Sequence, residues 1–486
     1  MDNIKIPHVE FSVMGKNFVY DRYSNEFLLL PTSFHKIKQS GFDLQKLQEE
    51  HNLFKPFSIP KLSLSDKVSD VEKIKAKLRE KIVQLCFIMT ENCNMRCKYC
   101  VYSGAYKGMR THNATHPMTW EIAHKVLDNF LSRGKGKSVK YISFYGGETL
   151  LEYKLIKKIV EYVHGVDKEI GFAMNTNLTL LTPEITEFLI KHDIQITVSL
   201  DGPEEVHDLY RITQNGKPTH KIVWENLKRI KNKSADYFNK KILFNVLLVP
   251  HSGEMNIVDK FFSDELFEGV NIDAFKVLTL NENDNSFTTQ YHYDKFISDF
   301  IQYSRDLFVN RHVNGNTDFS DMRISYNYYI RAIHHIFTRD MLHLDDYSHF
   351  WPNSMCIPGL RSIIVTPEGT FYPCETLCDK KQLAMGNADT GIDEDLVIQY
   401  TTEYIEKGNS MCRECWAFRF CAHCFTSCYK DGVYSMDMKV KSCQNTKKGI
   451  IDDFKLFMEI YVQNNHAFDY LKDKEKEIMY PYMVED

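Results

Sequence analysis

Three cysteines in the run TENCNMRCKYC, Cys93, Cys97 and Cys100, are spaced C-x3-C-x2-C just beyond what reads as a β-strand. A loop carrying thiolates at this spacing can wrap an iron–sulfur cubane, and three thiolates leave one iron open to chelate the amino and carboxylate groups of a ligand. A zinc site completed by His112 or His116, or a cluster closed by a distant fourth cysteine, meets the same spacing. Three polar loops at later strand ends carry further chemistry: Gly146, Gly147 and Glu148 in SFYGGETL, Asn175 and Asn177 in MNTN, and Ser199 and Asp201 in VSLDG. Glycines let a ligand approach the backbone closely, a carboxylate suits an ammonium, and the amides and hydroxyl suit the hydroxyls of a ribose.

The chain holds 13 cysteines: Cys86, the three above, and nine between Cys356 and Cys443. Cysteines used as small core residues do not cluster so sharply. No signal peptide is evident, and thiols in a reducing compartment point to metal or cluster ligation rather than disulfides. The C-terminal block reads Cys356-x12-Gly369-x4-Cys374, then Cys412-x2-Cys415-x5-Cys421-x2-Cys424-x3-Cys428, then Cys443. Its C-x2-C pairs alone also suit a zinc ribbon. Cys86 lies inside a predicted strand and reads as a buried apolar residue.

The elements that must position these residues follow from periodicity. Candidate strands are Val83 to Met89, Tyr141 to Tyr145, Gly171 to Met174, Ile194 to Leu200, Ile242 to Val249 and Ile272 to Leu278. Candidate helices are Trp120 to Leu131, Lys154 to Val163, Pro183 to Lys191, Lys221 to Ile230, Asn256 to Phe262 and Tyr293 to Phe308. Six strand–helix units in succession predict an α/β fold over residues 81–320, a partial TIM-like (β/α)6 barrel whose chemistry gathers where strands end. Ahead of it, Phe11 and Val13, then Phe18 and Tyr20, alternate on either side of Gly15-Lys16-Asn17, and Phe27 to Leu30 adds a third strand. Helices near Leu44 to Glu50 and over Asp66 to Ile82, broken at Phe57 to Pro60, complete a module over residues 1–80. Residues 321–355, rich in Tyr, His and Asp, read as a bridge, 356–445 as a cysteine-rich domain and 446–486 as a helical tail.

Composition limits the partners. With 43% hydrophobic and 26% charged residues among 486, the chain can build a core and roughly two to four domains. A formal charge of -5, from 60 basic and 65 acidic residues without a basic block, argues against nucleic acid. The opening MDNIKIPHVEFSV lacks a basic stretch followed by an apolar one, and no window approaches roughly eighteen uninterrupted apolar residues. A soluble cytoplasmic protein with no membrane partner is the expectation.

The cysteine triplet, with Tyr99 as the aromatic residue of C-x3-C-x-aromatic-C, resembles the signature of the radical S-adenosylmethionine (radical SAM) superfamily. The resemblance implies that Cys93, Cys97 and Cys100 hold a [4Fe-4S] cluster that cleaves S-adenosylmethionine to a 5'-deoxyadenosyl radical. It implies that the Gly146–Glu148 motif holds the methionyl amino group and that Arg211 reaches the cofactor carboxylate. Asn245 to Leu248 either flank the adenine or are barrel core. The C-terminal block resembles the SPASM domain, whose pattern is C-x9-15-G-x4-C, C-x2-C-x5-C-x3-C and a last Cys. Here position 425 is Phe, with cysteines at 424 and 428 instead. The resemblance assigns Cys412, Cys415, Cys421 and Cys443 to one auxiliary [4Fe-4S] cluster, and Cys356, Cys374 and Cys424 to another. The fourth position of the second is Cys428, Cys378 or open to a substrate thiolate. Three clusters result.

CVYSGAYKGMRTH and MCIPGLRSIIVTPEGTFYPCE resemble maturases of ribosomally made peptides, especially those joining cysteine sulfur to carbon. This implies a Cys-containing precursor peptide with a leader as substrate and a flavodoxin- or ferredoxin-type electron donor. The N-terminal module resembles a winged-helix-like peptide recognition element, to which a leader adds a strand, or it is a subdomain capping the barrel. Glu375 follows Cys374 where sulfatase-maturing relatives carry an Asp base, and is either a base or a solvated carboxylate. The expected reaction is thioether crosslinking. The alternatives are carbon–carbon crosslinking, formylglycine formation in a sulfatase, and a non-catalytic iron–sulfur or zinc protein that binds peptides.

Overall fold

The computed structural model describes residues 8–22, 25–30, 71–80, 82–100, 102–103, 111–112, 116–131, 139–248, 255–279, 293–338, 358–378, 381–413, 415–421, 423–430 and 433–474. Strands β1 (His8–Val13), β2 (Lys16–Asp21) and β3 (Glu26–Leu30) form an antiparallel sheet in that order. The β1–β2 turn is Met14-Gly15, both at positive φ, one residue earlier than the sequence suggests, because Val13 pairs with Lys16. The helix near Leu44 to Glu50, the break at Phe57 to Pro60 and the start of the helix over Asp66 to Ile82 lie outside the described residues. Its end is α1 (Val71–Glu80), and Ile82 already belongs to the next strand.

The predicted alternation is present as six parallel strands in chain order: β4 (Ile82–Thr90), β5 (Val139–Gly146), β6 (Gly171–Thr176), β7 (Gln195–Ser199), β8 (Ile242–Leu248) and β9 (Phe275–Thr279). The connections carry α2 (Trp120–Leu131), α3 (Tyr153–Val166), α4 (Pro183–Lys191), α5 (Glu204–Tyr210), α6 (His220–Lys233), α7 (Ala235–Lys241) and α8 (Met255–Phe261). Strand β8 shows why each strand has two roles. Ile242, Phe244, Val246 and Leu248 are buried, and Leu243, Asn245 and Leu247 between them are only partly so. Alternation on a pleated strand puts the first set against the helices and the second into the interior.

Two further strands, β10 (Ser362–Val365) and β11 (Phe371–Tyr372), extend the sheet at its other edge. Strand β10 runs parallel to β4, with Ile364 opposite Cys86, and β11 folds back antiparallel on β10. The chain just past β11 therefore emerges beside Ser362, whose Oγ donates to Pro373 O at 2.9 Å, near the start of β4 and at the opposite end of the strand from the loop that follows it.

A second core joins the chain's two ends. Helices α9 (Tyr293–Val313), α10 (Arg323–Phe337), α11 (Glu394–Arg413) and α12 (Met436–Gln463) follow, the last running unbroken through the expected domain boundary at 445. Phe454 of α12 is fully buried and its ring lies 5.9 Å from Phe11 and 4.8 Å from Phe27, with Tyr20 5.2 Å from Phe420. The N-terminal sheet therefore shares its core with the C-terminal helix, because three short strands alone bury too little apolar surface. No helix among the described residues is long and apolar enough to cross a membrane.

Candidate functional site

The loop from Cys93 to Cys100 hangs on backbone hydrogen bonds from two directions. Arg96 N donates to Ile212 O at 2.8 Å and Lys98 N to Tyr210 O at 3.0 Å, so the chain leaving α5 straps the loop from below. Arg96 Nη1 reaches Cys93 O at 2.7 Å and Met95 O at 2.6 Å, and Gln214 Nε2 reaches Cys93 O at 2.9 Å. Within the loop, Met95 N donates to Cys93 Sγ and Tyr102 N to Cys100 Sγ, both at 3.4 Å. The Tyr210–Gln214 strap was not singled out in the sequence beyond Arg211, since nothing local marks residues that bind a loop more than a hundred positions upstream.

From the other side the Gly-Gly-Glu turn packs directly on this loop. Gly147 N donates to Thr90 O at 2.8 Å and Glu148 N to Asn92 O at 2.9 Å. A Cβ at Gly146, whose φ is +138°, would sit 2.2 Å from Thr90 O, and one at Gly147 would sit 2.1 Å from Asn92 O. Both positions thus require glycine for backbone contact between strand ends. The Glu148 carboxylate is fully buried and accepts from Leu150 N at 3.0 Å, Thr176 Oγ1 at 2.6 Å and Asn177 N at 2.7 Å. Burial pushes its pKa up, and those hydrogen bonds pull it back. In this structure Glu148 ties the β5 turn to the end of β6.

Asn177, expected near a ribose, turns toward the cysteine loop. Its Nδ2 donates to Asn94 Oδ1 at 2.9 Å and lies 3.7 Å from Cys93 Sγ. Asn175 and Ser199 are partly exposed on the interior face of β6 and β7. Asp201 is buried, accepting from the Tyr99 hydroxyl and, through Oδ1, from Leu247 N at 3.2 Å. It joins loops together, where the sequence suggested an open acceptor. Arg211 Nη1 donates to the Tyr99 hydroxyl at 2.7 Å, and Arg211 is itself buried.

Burial pushes the Cys93 thiol up to about 12 and the Cys100 thiol up to about 11. Cys97 is raised for the same reason, with Arg211 pulling it down. Thiols so placed ionise only against a metal or a fixed cation. Among the described residues no His, Cys, Asp or Glu group of three or more is gathered tightly enough for one metal ion. A cubane, with irons at its corners, takes thiolates that stand farther apart. Arg211 Nε is buried without a hydrogen-bond partner, a free donor whose charge acts on Cys97, and that fits an anionic ligand seated beside the loop.

The second cysteine block falls into two places. Cys374 and Glu375 follow β11, with Cys378 Sγ 3.6 Å from Cys374 O. Glu375 is exposed, and Tyr145, at the end of β5, feels the charges of Glu375, Cys86, Cys100 and Cys378 together. Cys412 ends α11 and Cys443 lies on α12, while Cys415, Cys421 and Cys424 flank short 3-10 turns between those helices. Cys428 is fully buried, its Sγ 4.0 Å from His423 Nδ1, and it feels the charges of Cys443, Cys424 and Cys412. Cys356 lies outside the described residues.

Residues 87–256 match the radical SAM superfamily. The chain is 33% identical over 153 residues to the serine-type anaerobic sulfatase-maturating enzyme of Bacteroides thetaiotaomicron, covering 30% of this chain and 35% of that one. It is 25% identical over 240 residues to the radical SAM cyclopropyl synthase TigE of Paramaledivibacter caminithermalis, covering 47% and 48%. It is 26% identical over 349 residues to the cysteine-type anaerobic sulfatase-maturating enzyme of Clostridium perfringens, covering 68% and 85%. The chain thus spans only about a third to a half of the first two relatives. The solved structure of native anSMEcpe with bound AdoMet and Cp18Cys peptide has the same fold, with a TM-score of 0.57 at 20% identity over 81% of this chain and 99% of that one.

Proposed function

Because residues 87–256 form a radical SAM domain, in an enzyme homologous to the anaerobic sulfatase-maturating enzymes and to TigE, we propose that this protein modifies a ribosomally made, Cys-containing precursor peptide by forming thioether crosslinks. In this reading Cys93, Cys97 and Cys100 hold the [4Fe-4S] cluster, and Gly146, Gly147, Asn175, Ser199 and Arg211 line the place of S-adenosylmethionine. When bound, that pair supplies a one-electron reductive cleavage and hence hydrogen-atom abstraction.

This chain's own residues do the positioning. The Tyr210–Gln214 strap and the Gly146–Glu148 turn hold the cysteine loop in one conformation, Arg211 offers charge to a carboxylate, and the interior ends of β6 and β7 present polar groups to a sugar. Cys412, Cys415, Cys421 and Cys443 are assigned to one auxiliary cluster, and Cys356, Cys374 and Cys424 to a second, whose fourth site is Cys428, Cys378 or the peptide thiolate. Glu375 is the candidate base that takes a substrate proton. The β1–β3 sheet is the candidate leader-binding edge, and a flavodoxin or ferredoxin the electron source.

One observation carries the proposal. The β10–β11 hairpin pairs on β4 and brings Glu375 and Cys378 to Tyr145, where the charge of Cys100 is also felt. The Cys374–Cys378 part of the second block thus lies near residues that also feel Cys100, which supports a substrate sulfur being joined to a nearby radical carbon. Reconstituted enzyme, S-adenosylmethionine, dithionite and the candidate peptide are expected to give 5'-deoxyadenosine and a peptide lighter by two hydrogens per crosslink, with its thiol no longer alkylatable. Survival of that thiol would exclude the thioether. Formylglycine formation is a second reading, favoured by the coverage of a cysteine-type sulfatase-maturating enzyme over 85% of its length. A product that reacts with a hydrazine probe and fragments as a linear peptide would establish it.

A further inference from the structure

Lys439 is 1% exposed, and among the described residues no Asp or Glu forms an ion pair with it. A buried ammonium without a counter-ion is costly, and the fold nevertheless builds a place for it. Lys439 precedes Cys443 by four residues on α12, and Gly408 precedes Cys412 by four on α11, so each lies one turn from a cysteine on the same helix face. Those two faces meet at the lysine. A Cβ at Gly408 would stand 2.7 Å from Lys439 Cε and 2.9 Å from Nζ, so the absence of a side chain there makes room for the ammonium. One further turn back on α11, the Tyr404 ring lies 4.1 Å from Nζ. The charge acts on thiols from both helices and the turn between them, pulling down Cys412, Cys428 and Cys443.

We propose that Lys439 is the buried counter-ion of the cluster held by Cys412, Cys415, Cys421 and Cys443, and that it raises that cluster's reduction potential. This rests on the reading that those four cysteines hold a cluster. A four-thiolate cubane is anionic and gains one more negative charge on reduction, so a fixed cation in a low-dielectric setting stabilises the reduced form more than the oxidised. Lys439 is a positioning charge and touches no substrate. Arg22, which donates to Cys412 O at 3.4 Å and Cys415 O at 3.2 Å, adds hydrogen bonds and some charge to the same loop, and Lys447 adds charge at Cys443, whereas Lys439 is the fully buried cation that acts on Cys412, Cys428 and Cys443 together.

The test is an EPR-monitored redox titration of reconstituted full-length protein as wild type, Lys439→Arg, Lys439→Met and Gly408→Ala, with iron and sulfide counted in each. Lys439→Met is expected to keep its iron and shift one cluster to lower potential. At fixed solution potential its reduced-to-oxidised ratio falls about tenfold, or about 59 mV for one electron, while the other signals stay in place. Lys439→Arg is expected to stay near wild type, and Gly408→Ala to shift the same way as Lys439→Met by less. Fully loaded Lys439→Met titrating like wild type would overturn the counter-ion role. Should Lys439→Met lose iron, Gly408→Ala decides: a shifted midpoint supports the role and an unshifted one overturns it. Wild type holding a single cubane would overturn the underlying assignment of the four cysteines, a result visible before any variant is compared.

Discussion

Arg211 and Tyr99 lie 112 positions apart, yet the Arg211 guanidinium donates to the Tyr99 hydroxyl at 2.7 Å, and that hydroxyl donates in turn to Asp201. All three groups are buried, so each depends on the others for its hydrogen bonds. Tyr99→Phe removes the acceptor of one and the donor of the other, and is expected to cost ~1–3 kcal/mol in urea unfolding of the cluster-free protein. Arg211→Met leaves the Asp201 carboxylate buried without its cation and is expected to cost more, about 3–5 kcal/mol. If Tyr99→Phe unfolds like wild type, the network adds nothing to stability.

Gly147 offers a sharper test of how the site is assembled. The alanine Cβ would lie 2.1 Å from Asn92 O and 2.6 Å from its carbonyl carbon, which is backbone and cannot step aside as a side chain would. Gly147→Ala is therefore expected to displace the turn from the cysteine loop, with lower iron per chain after reconstitution and weaker S-adenosylmethionine binding by calorimetry. Full iron loading and unchanged affinity would show that the two loops need not touch.

Much of the barrel was legible because its signals are local. Trp120–Leu131 and Pro183–Lys191 appear with the bounds read from the sequence; in the second, Thr182 caps Ile185 N at 3.2 Å and Pro183 sets the first turn. Ile272 to Leu278 read as a strand, but Asn271 accepts from Asp273 N at 2.9 Å and winds Ile272–Ala274 into a 3-10 turn, so the strand begins at Phe275. Helix α10 went unseen in a segment rich in Tyr and His, since its regularity shows only once Tyr326 and Ile333 are buried in the second core. Asp201 reads as a ribose acceptor and Arg211 as a group reaching a carboxylate because Tyr99, which covers both, is a long-range neighbour. Strand β10 is four residues long, and no short run announces that it will pair with a strand nearly three hundred residues earlier.

Phe454 holds the N-terminal sheet to the C-terminal helix. It is fully buried, with Phe11, Tyr20 and Phe27 from three strands around it at centroid distances of 5.9, 5.0 and 4.8 Å. Phe454→Ala is expected to cost about 3–5 kcal/mol, most of it in this second core. The expected signature is faster proteolysis within residues 8–30 while the radical SAM domain stays resistant. Equal rates of cleavage there in both proteins would mean that the sheet is held by other contacts.

His312 gives the second core a pH dependence. It is 1% exposed; its Nδ1 lies 2.8 Å from Phe308 O, which can only accept, so the ring donates there, and its Nε2 lies 3.0 Å from the Tyr470 hydroxyl. A ring that donates at Nδ1 and accepts at Nε2 is neutral, and burial holds its pKa down to about 4, against 6.5 in the unfolded chain. Between those values the unfolded state binds the proton and the folded state does not. The contribution is therefore fully present above about pH 6.5 and is lost as pH falls toward 4. The gap of about 2.5 units corresponds to about 3 kcal/mol at most. Urea unfolding of cluster-free protein at pH 7.5 and pH 5 is expected to show wild type losing more stability than His312→Gln. Parallel losses in the two would mean that His312 takes up its proton over the same pH range in the folded and unfolded chains, so that burial does not hold it down.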